Sequence, residues 1–513
     1  MTFKQKILPV LKRYSSLEWG ACALFLITAC LFVFAHAWYQ DLDHDEHQFV
    51  VPAALFSRSG QLPYRDFPLF HQPYLIFVYG AANLFCSSPF AAARTLCAVG
   101  ASLTMLLLVA AGLCRSSNRK AWTLCLPVLL LLTSPLFLWT SGRTWNHDLP
   151  TLLALASVIL VVGVRSDSFK WQRWLIAGFA AALAVGGRLT FAPTCLALAC
   201  APLIWPGFPL RERFRLAAVC GFGVFLGLLP SLLFYLWQPE AYLFGNFGYP
   251  RLQNIVAENG MIPKPMQLSR RIQSAYQKIV VLNLPLGIAF VVIALPGSWL
   301  LWWKKRDFAG VLILLLTLSL LPGAFAPAHV RVQYFYSPAV FAVLAIIWGM
   351  QAFGRWPSWV LAGLCAAGLL QYGTKDSTLN DVLRDRPTAI SKVSAEATRL
   401  KKKVPSGKVL TLAPISAIEA GLEIYPAFAV GPFGWRSAEF LEEGQRQRLG
   451  IIGPPNVESA LENDMPAAII TGNEKPIVEE DLVKFAREHN YRSEPFTKKR
   501  LLWLPPQNDE STR

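Results

Sequence analysis

Long apolar runs joined by short polar connectors fill the chain up to Gln371, and the pattern then stops. Clear runs cover 19–38, 92–114, 121–140, 148–164, 174–187, 189–205, 216–237, 279–303, 308–326, 334–352 and 356–372. A helix needs about twenty apolar residues to cross a bilayer core, so these predict eleven transmembrane helices. One further apolar stretch, 71–87, decides the topology. As a crossing it would place the clusters Arg115/Arg119/Lys120, Arg165/Lys170/Arg173 and Arg211/Arg213/Arg215 outside, against the bias of basic loops toward the inner face. As a helix lying along the membrane surface it leaves every basic cluster inside. The second arrangement is preferred, with 46–59 and 71–87 as helices on the outer surface.

Beyond Gln371 the sequence is polar and broken by Pro and Gly. Val409-Leu-Thr-Leu412 and Ala467-Ala-Ile-Ile-Thr471 read as buried strands, and Glu479–His489 has the apolar spacing of an amphipathic helix. The expected organisation is therefore an all-α polytopic transmembrane domain over 1–372, with outer loops 38–91 and 238–278, and a small α/β domain over 373–513. An odd number of spans puts that domain on the outer face. The 238–278 segment, with Glu240, Tyr249, Arg251, Glu258 and Lys264 among Pro and Gly, is too long for a plain connector and suits a lid or an acceptor loop.

Composition supports the membrane reading: 54% of residues are hydrophobic and the mean hydropathy is +0.39. The net charge of +16 does not indicate nucleic acid, because the Lys and Arg residues sit in short clusters between apolar runs, Lys4/Lys6/Lys12/Arg13 and Lys304/Lys305/Arg306 included. Most of the ten cysteines lie inside apolar runs and none is in CxxC spacing, so they read as small core residues. The first run is long and lacks a small-residue cleavage site, as in a signal anchor.

Three groups of residues could carry chemistry. The first is Asp43-His-Asp45-Glu46-His47, just past the first span, followed by Gly60-Gln-Leu-Pro-Tyr-Arg65-Asp66 and His71-Gln-Pro73. Glycosyl transfer to a hydroxyl needs a carboxylate base beside the anomeric carbon and cations for the leaving phosphate. Asp45 suits the base, with Glu46 beside it and Asp43, Arg65 and His71 in reach of substrate; the same acids could also simply solvate a helix end. The second is Arg143-Thr-Trp-Asn146-His147-Asp148, before Leu149-Pro150. Asp148 can be an acid of the site, the cap of the next helix, or both. The third is cationic: Arg188 in Gly186-Gly-Arg-Leu-Thr190, and His329-Val-Arg331-Val-Gln-Tyr334. An Arg at a span end either snorkels to the interface or grips a phosphate in bidentate fashion. His44, His47, His71 and His147 lack the spacing of a zinc site, and no metal ligands are assigned, although three carboxylates could hold a divalent cation.

At these residues the chain resembles the integral-membrane glycosyltransferases of the GT-C fold. The branch in view contains the bacterial lipid A aminoarabinose transferases and the protein O-mannosyltransferases. The likeness lies in order and position: Asp45-Glu46 after the first span, Gly60 to Asp66 and Pro73 downstream, Asn146-His-Asp148 before a later span, then a polar outer domain. It implies an enzyme that takes a sugar from a polyprenyl-phosphate carrier, usually with inversion, and places it on a lipid, glycan or protein acceptor at the outer, periplasmic face of a bacterial inner membrane. By position, Asp45 would be the catalytic carboxylate and Asp148 a second acid. The chain departs from the aminoarabinose transferases at Gln72, where they have a Lys before the downstream Pro, so that phosphate contact does not carry over. Two other readings remain: a glycan polymerase or ligase using a diphosphate carrier, and a transporter or flippase of a lipid-linked sugar. Transporters place their ionisable groups near the midplane and often carry inverted repeats, whereas these acids crowd one face.

Overall fold

A computed structural model describes residues 13–116, 119–162, 170–206, 208–258, 267–281, 283–325, 327, 330–373 and 378–506. The expected contacts of Lys4, Lys6, Lys12, Arg165, Lys264 and His329 fall outside the described residues. The chain is mostly helical, with one five-stranded sheet near its C-terminus. It divides into two compact units.

The first unit comprises 1–38, 97–230 and 266–386. Among the described residues, five helices of the chain are long and apolar enough to cross a membrane: Ser16–Tyr39, Pro89–Arg115, Leu210–Trp237, Leu284–Lys305 and Val332–Ala352. Shorter apolar helices include Asp148–Val162, Leu189–Ile204 and Ala309–Phe325. The run 121–140 is not one helix. It breaks into Ala121–Leu124, Leu126–Leu132 and Pro135–Thr140, as Pro127 and Pro135 require, since proline removes a backbone donor and clashes with the preceding turn.

Tyr336–Gly349 is the centre of this unit. Every one of its residues is buried, the signature of a helix packed on all sides. Its last glycine lets a neighbour come close: a Cβ on Gly297 would lie 2.3 Å from the Gly349 carbonyl oxygen, and one on Gly349 would lie 2.4 Å from that of Ile293. Small residues at such a crossing allow backbones to pack directly, which is how helices associate where lipid removes the hydrophobic driving force.

The second unit comprises 39–96, 231–265 and 387–513, so the expected loop 38–91 and the first part of the expected loop 238–278 group with the C-terminal α/β region, while residues from 266 on belong to the first unit. His47–Ser59 ends at Gly60, whose φ of 67° supplies the left-handed C-cap. Tyr74–Asn83 has ten residues, about 15 Å of helix against the roughly 30 Å of a hydrocarbon core. The sheet runs β2-β1-β3-β5-β4, with β1 Lys408–Thr411, β2 Glu423–Ile424, β3 Ala468–Thr471, β4 Arg492–Pro495 and β5 Leu501–Leu504. β1 pairs in parallel with β2 and β3 and reads as an apolar run, as a strand covered on both faces should. The helix Pro476–Glu488 packs Val478, Leu482 and Phe485 into the core.

The short helix after β1, Ile415–Glu419, is hydrogen-bonded at its two ends to His47–Ser59 and Pro89–Arg115. The Ile415 N–H donates to His47 Nδ1 (3.4 Å), Arg58 donates to the Ile418 carbonyl (2.8 Å), and the Phe90 N–H donates to Glu419 (2.8 Å). The segment expected as a lid is also helical, in the pieces Pro239–Leu243, Phe244–Gly248 and Tyr249–Glu258.

Candidate functional site

In the second unit, the chain leaves Ser16–Tyr39 and turns through a single 3-10 turn, His44–Glu46, before His47–Ser59 begins. Asp43 caps that turn. Its Oδ1 accepts from the Asp45 N–H (2.9 Å), and its own N–H donates to Glu46 Oε2 (2.9 Å). This reciprocal capping box is the arrangement that an acid followed three residues later by Glu favours. The result fixes the backbone under Asp45 while leaving its side chain 31% exposed.

The His44 ring lies between the two aspartates, with Nε2 3.2 Å from Asp45 Oδ1 and Nδ1 3.6 Å from Asp43 Oδ1. It stacks on Phe433, ring centres 6.0 Å apart. Asp43, His44 and Asp45 each bring one ligand atom within 4.8 Å of the others, so these three could hold a divalent cation. Glu46 is different. Its side chain has no exposure and both oxygens are taken by Arg94.

Downstream, Arg65 is exposed and turned onto its neighbour: Nε and Nη2 donate to Asp66 (2.8 and 2.6 Å), and the guanidinium lies 5.4 Å over Trp237. Asp66 in turn accepts from the Leu62 N–H (2.7 Å). His71 stacks on Phe49 (5.1 Å), and its carbonyl accepts from the Tyr64 hydroxyl (2.5 Å). Gln72 is buried with its amide saturated. Nε2 donates to the Tyr242 hydroxyl and to Asn246 Oδ1 (both 2.9 Å), while Oε1 accepts from Ser231 (2.7 Å) and Tyr242 (3.1 Å). A neutral, fully bonded amide thus fills this position and ties 231–246 to the loop.

The other group lies in the first unit. Asn146, His147, Asp148 and Arg188 are all buried. Arg188 Nη1 donates to Asn146 Oδ1 (2.9 Å) and lies within bonding distance of both His147 ring nitrogens (2.9 and 2.6 Å); Nε donates to Thr190 Oγ1 (2.8 Å). Its guanidinium also sits 5.4 Å over the Tyr334 ring. Asp148 opens Asp148–Val162 and has both oxygens engaged: Oδ1 accepts from the Tyr336 hydroxyl (2.5 Å) and Oδ2 from the Gly142 N–H (2.8 Å). Arg331, exposed, stands at the N-cap position of the turn Val332–Phe335 without a side-chain capping bond.

The structure therefore gathers Asp43 and Asp45 in one group and Asn146, His147, Arg188 and Tyr334 in another. Arg65, His71, Glu46 and Asp148 are each held by partners of their own. Reasoning from the sequence missed two of those partners, Arg94 and Tyr336. Arg94 gave a usable signal, a lone charge inside an apolar run, because such charges almost always have a mate. Tyr336 gave none.

No protein-family model matches the chain, and no curated protein matches it in sequence. Solved structures do. ArnT from Cupriavidus metallidurans bound to undecaprenyl phosphate aligns over 96% of this chain and 100% of its own, with a TM-score of 0.63 and 12% identity. The chain has the GT-C fold. The apo state of that ArnT matches equally well, and the apo oligosaccharyltransferase from Archaeoglobus fulgidus aligns over 88% of this chain and 69% of its own, with a TM-score of 0.52 and 13% identity. At these identities the likeness is one of fold, and the GT-C architecture accounts for a helical membrane region followed by the α/β domain.

Proposed function

We propose that this chain is a glycosyltransferase of the bacterial inner membrane. It would move a sugar from a polyprenyl-phosphate carrier to a lipid, glycan or protein acceptor at the periplasmic face. The observation that carries the reading is Asp45: a partly exposed carboxylate on a capped turn just past the first span, in a chain with the GT-C fold. The ArnT relative holds undecaprenyl phosphate, which supports a carrier of that class.

In this reading Asp45 takes the proton of the acceptor hydroxyl as its oxygen bonds to the anomeric carbon. The bond from that carbon to the phosphate oxygen breaks, and the polyprenyl phosphate leaves with the electron pair, inverting the centre. Arg188 and Arg331 meet the charge developing on the phosphate, where fixed cations are most effective, with Asn146 and His147 orienting Arg188. Asp148 holds its loop through Gly142 and Tyr336. A divalent cation at Asp43, His44 and Asp45 would orient the acceptor oxygen. The 373–513 domain and the 238–278 segment are proposed to select the acceptor.

Purified protein with radiolabelled carrier lipid and membrane acceptors tests this. Transfer of label to an acceptor is expected, and Asp45→Asn is expected to abolish it while the protein remains folded and inserted. Normal turnover by Asp45→Asn would sink the assignment, and movement of the intact lipid without transfer would identify a flippase instead.

A further inference from the structure

The turn bearing Asp45 is held from outside by one buried arginine. Arg94 follows Ala91-Ala-Ala93 in Pro89–Arg115, and neither its side chain nor that of Glu46 has any exposure. Four hydrogen bonds run from its guanidinium into residues 40–46. Nε donates to Glu46 Oε1 (2.9 Å), Nη2 to Glu46 Oε2 (2.6 Å) and to the Asp41 carbonyl (3.2 Å), and Nη1 to the Gln40 carbonyl (2.6 Å). The guanidinium also rests 4.7 Å over the Phe90 ring. Both ends of the turn are thereby fixed to one rigid, planar group.

From there the restraint passes to Asp45 in two steps. The Glu46 oxygen that Arg94 grips also accepts from the Asp43 N–H, and Asp43 Oδ1 accepts from the Asp45 N–H. A buried ion pair is a weak source of stability, because desolvating both ions offsets most of their attraction. Its geometry is what an aliphatic pair could not supply. Only Arg can bind a carboxylate through two parallel donors while also reaching carbonyls on the far side.

We propose that Arg94, acting through Glu46, is the positioning residue for Asp45. This rests on Asp45 being the catalytic carboxylate. A misplacement of about 1 Å in a reacting group can cost about 10²-fold in rate, so the pair is expected to act on kcat and not on donor binding.

The test is a double variant, Arg94→Met with Glu46→Met, which removes both charges together and replaces them with side chains of similar length. Expected are a monodisperse protein, wild-type binding and stoichiometry of polyprenyl phosphate, an unchanged donor KM, and kcat lower by about 10²-fold. A merely structural pair would leave kcat per binding-competent molecule unchanged, and that result overturns the assignment. Arg94→Lys keeps the charge but loses the fork. It is expected to lower kcat about 10-fold at unchanged KM, and wild-type kcat in this variant overturns the assignment even where the double variant does not fold. If Asp45→Asn turns over normally, the functional reading itself fails; if Asp45→Asn is dead while Arg94→Lys is fully active, only the role given to Arg94 fails.

Discussion

Acid is expected to loosen the C-terminal α/β region from the helix His47–Ser59, and one imidazole sets the size of the effect. His47 is 3% exposed, and its Nδ1 accepts from the Ile415 N–H at 3.4 Å. Burial, then the charge of Arg500 and that of His44, push its pKa down to about 3, with Glu46 pulling the other way. In the unfolded chain the same group titrates near 6.5. Its folded pKa is depressed, so the neutral form favours the fold; stability is intact above about pH 6.5 and is lost as pH falls toward 3. At pH 5 the unfolded chain has gained about 1.5 pH units of protonation that the fold resists. At 1.36 kcal/mol per unit, the loss between pH 7 and pH 5 comes to about 2 kcal/mol. Thermal unfolding of purified wild type and His47→Gln at pH 7, 6 and 5 measures it, since the Gln carbonyl can accept from Ile415 without titrating. The wild type should lose about 2 kcal/mol more than the variant over that range. Equal pH slopes in the two proteins would refute the reasoning, because every other titrating group is common to both.

Three further substitutions test how particular loops are held. Gly142→Val meets a φ of 78° and a Cβ that would lie 2.4 Å from the Ala37 Cβ; it should cost about 2–4 kcal/mol of stability, read as a lowered thermal midpoint. Tyr336→Phe removes the hydroxyl donated to buried Asp148 and should cost about 1–3 kcal/mol, measured by unfolding in detergent. Gln72→Leu strands the buried partners Ser231 and Asn246 as well as Tyr242. It should cost about 3 kcal/mol and speed proteolytic cleavage within 239–258, and an unaltered cleavage rate would mean the amide does not fasten that segment.

The fold was legible wherever one physical quantity dominated. Length and apolarity marked the five long apolar helices among the described residues, and β1 and β3 showed as apolar runs because they are buried within the sheet. β4, Arg492–Pro495, was not legible: it is a polar edge strand of four residues, and its pairing with β5 is a tertiary fact. Nor did anything local announce the π-turns at Phe244–Gly248, Tyr276–Val281 and Phe290–Ala294. The breaks in 121–140 could have been read, since Pro127 and Pro135 stand in plain view inside that run.

At the site, the sequence supplied the acids but not their partners, for a simple reason. Periodicity reports neighbours within a turn or two, whereas Glu46 meets Arg94 across 48 residues and Asp148 meets Tyr336 across 188. Those distant contacts alter what each acid can do. A general base must reach its substrate, yet Glu46 is wholly enclosed, Asp148 is 1% exposed with both oxygens bonded, and Asp43 spends Oδ1 on capping. Asp45, on a fixed backbone, has the most exposed side chain of the four, 31% against 20% for Asp43, with His44 Nε2 3.2 Å away. The proposal for it therefore rests on that exposure together with its place after the first span, which is why the decisive comparison is between Asp45→Asn and the variants at Arg94.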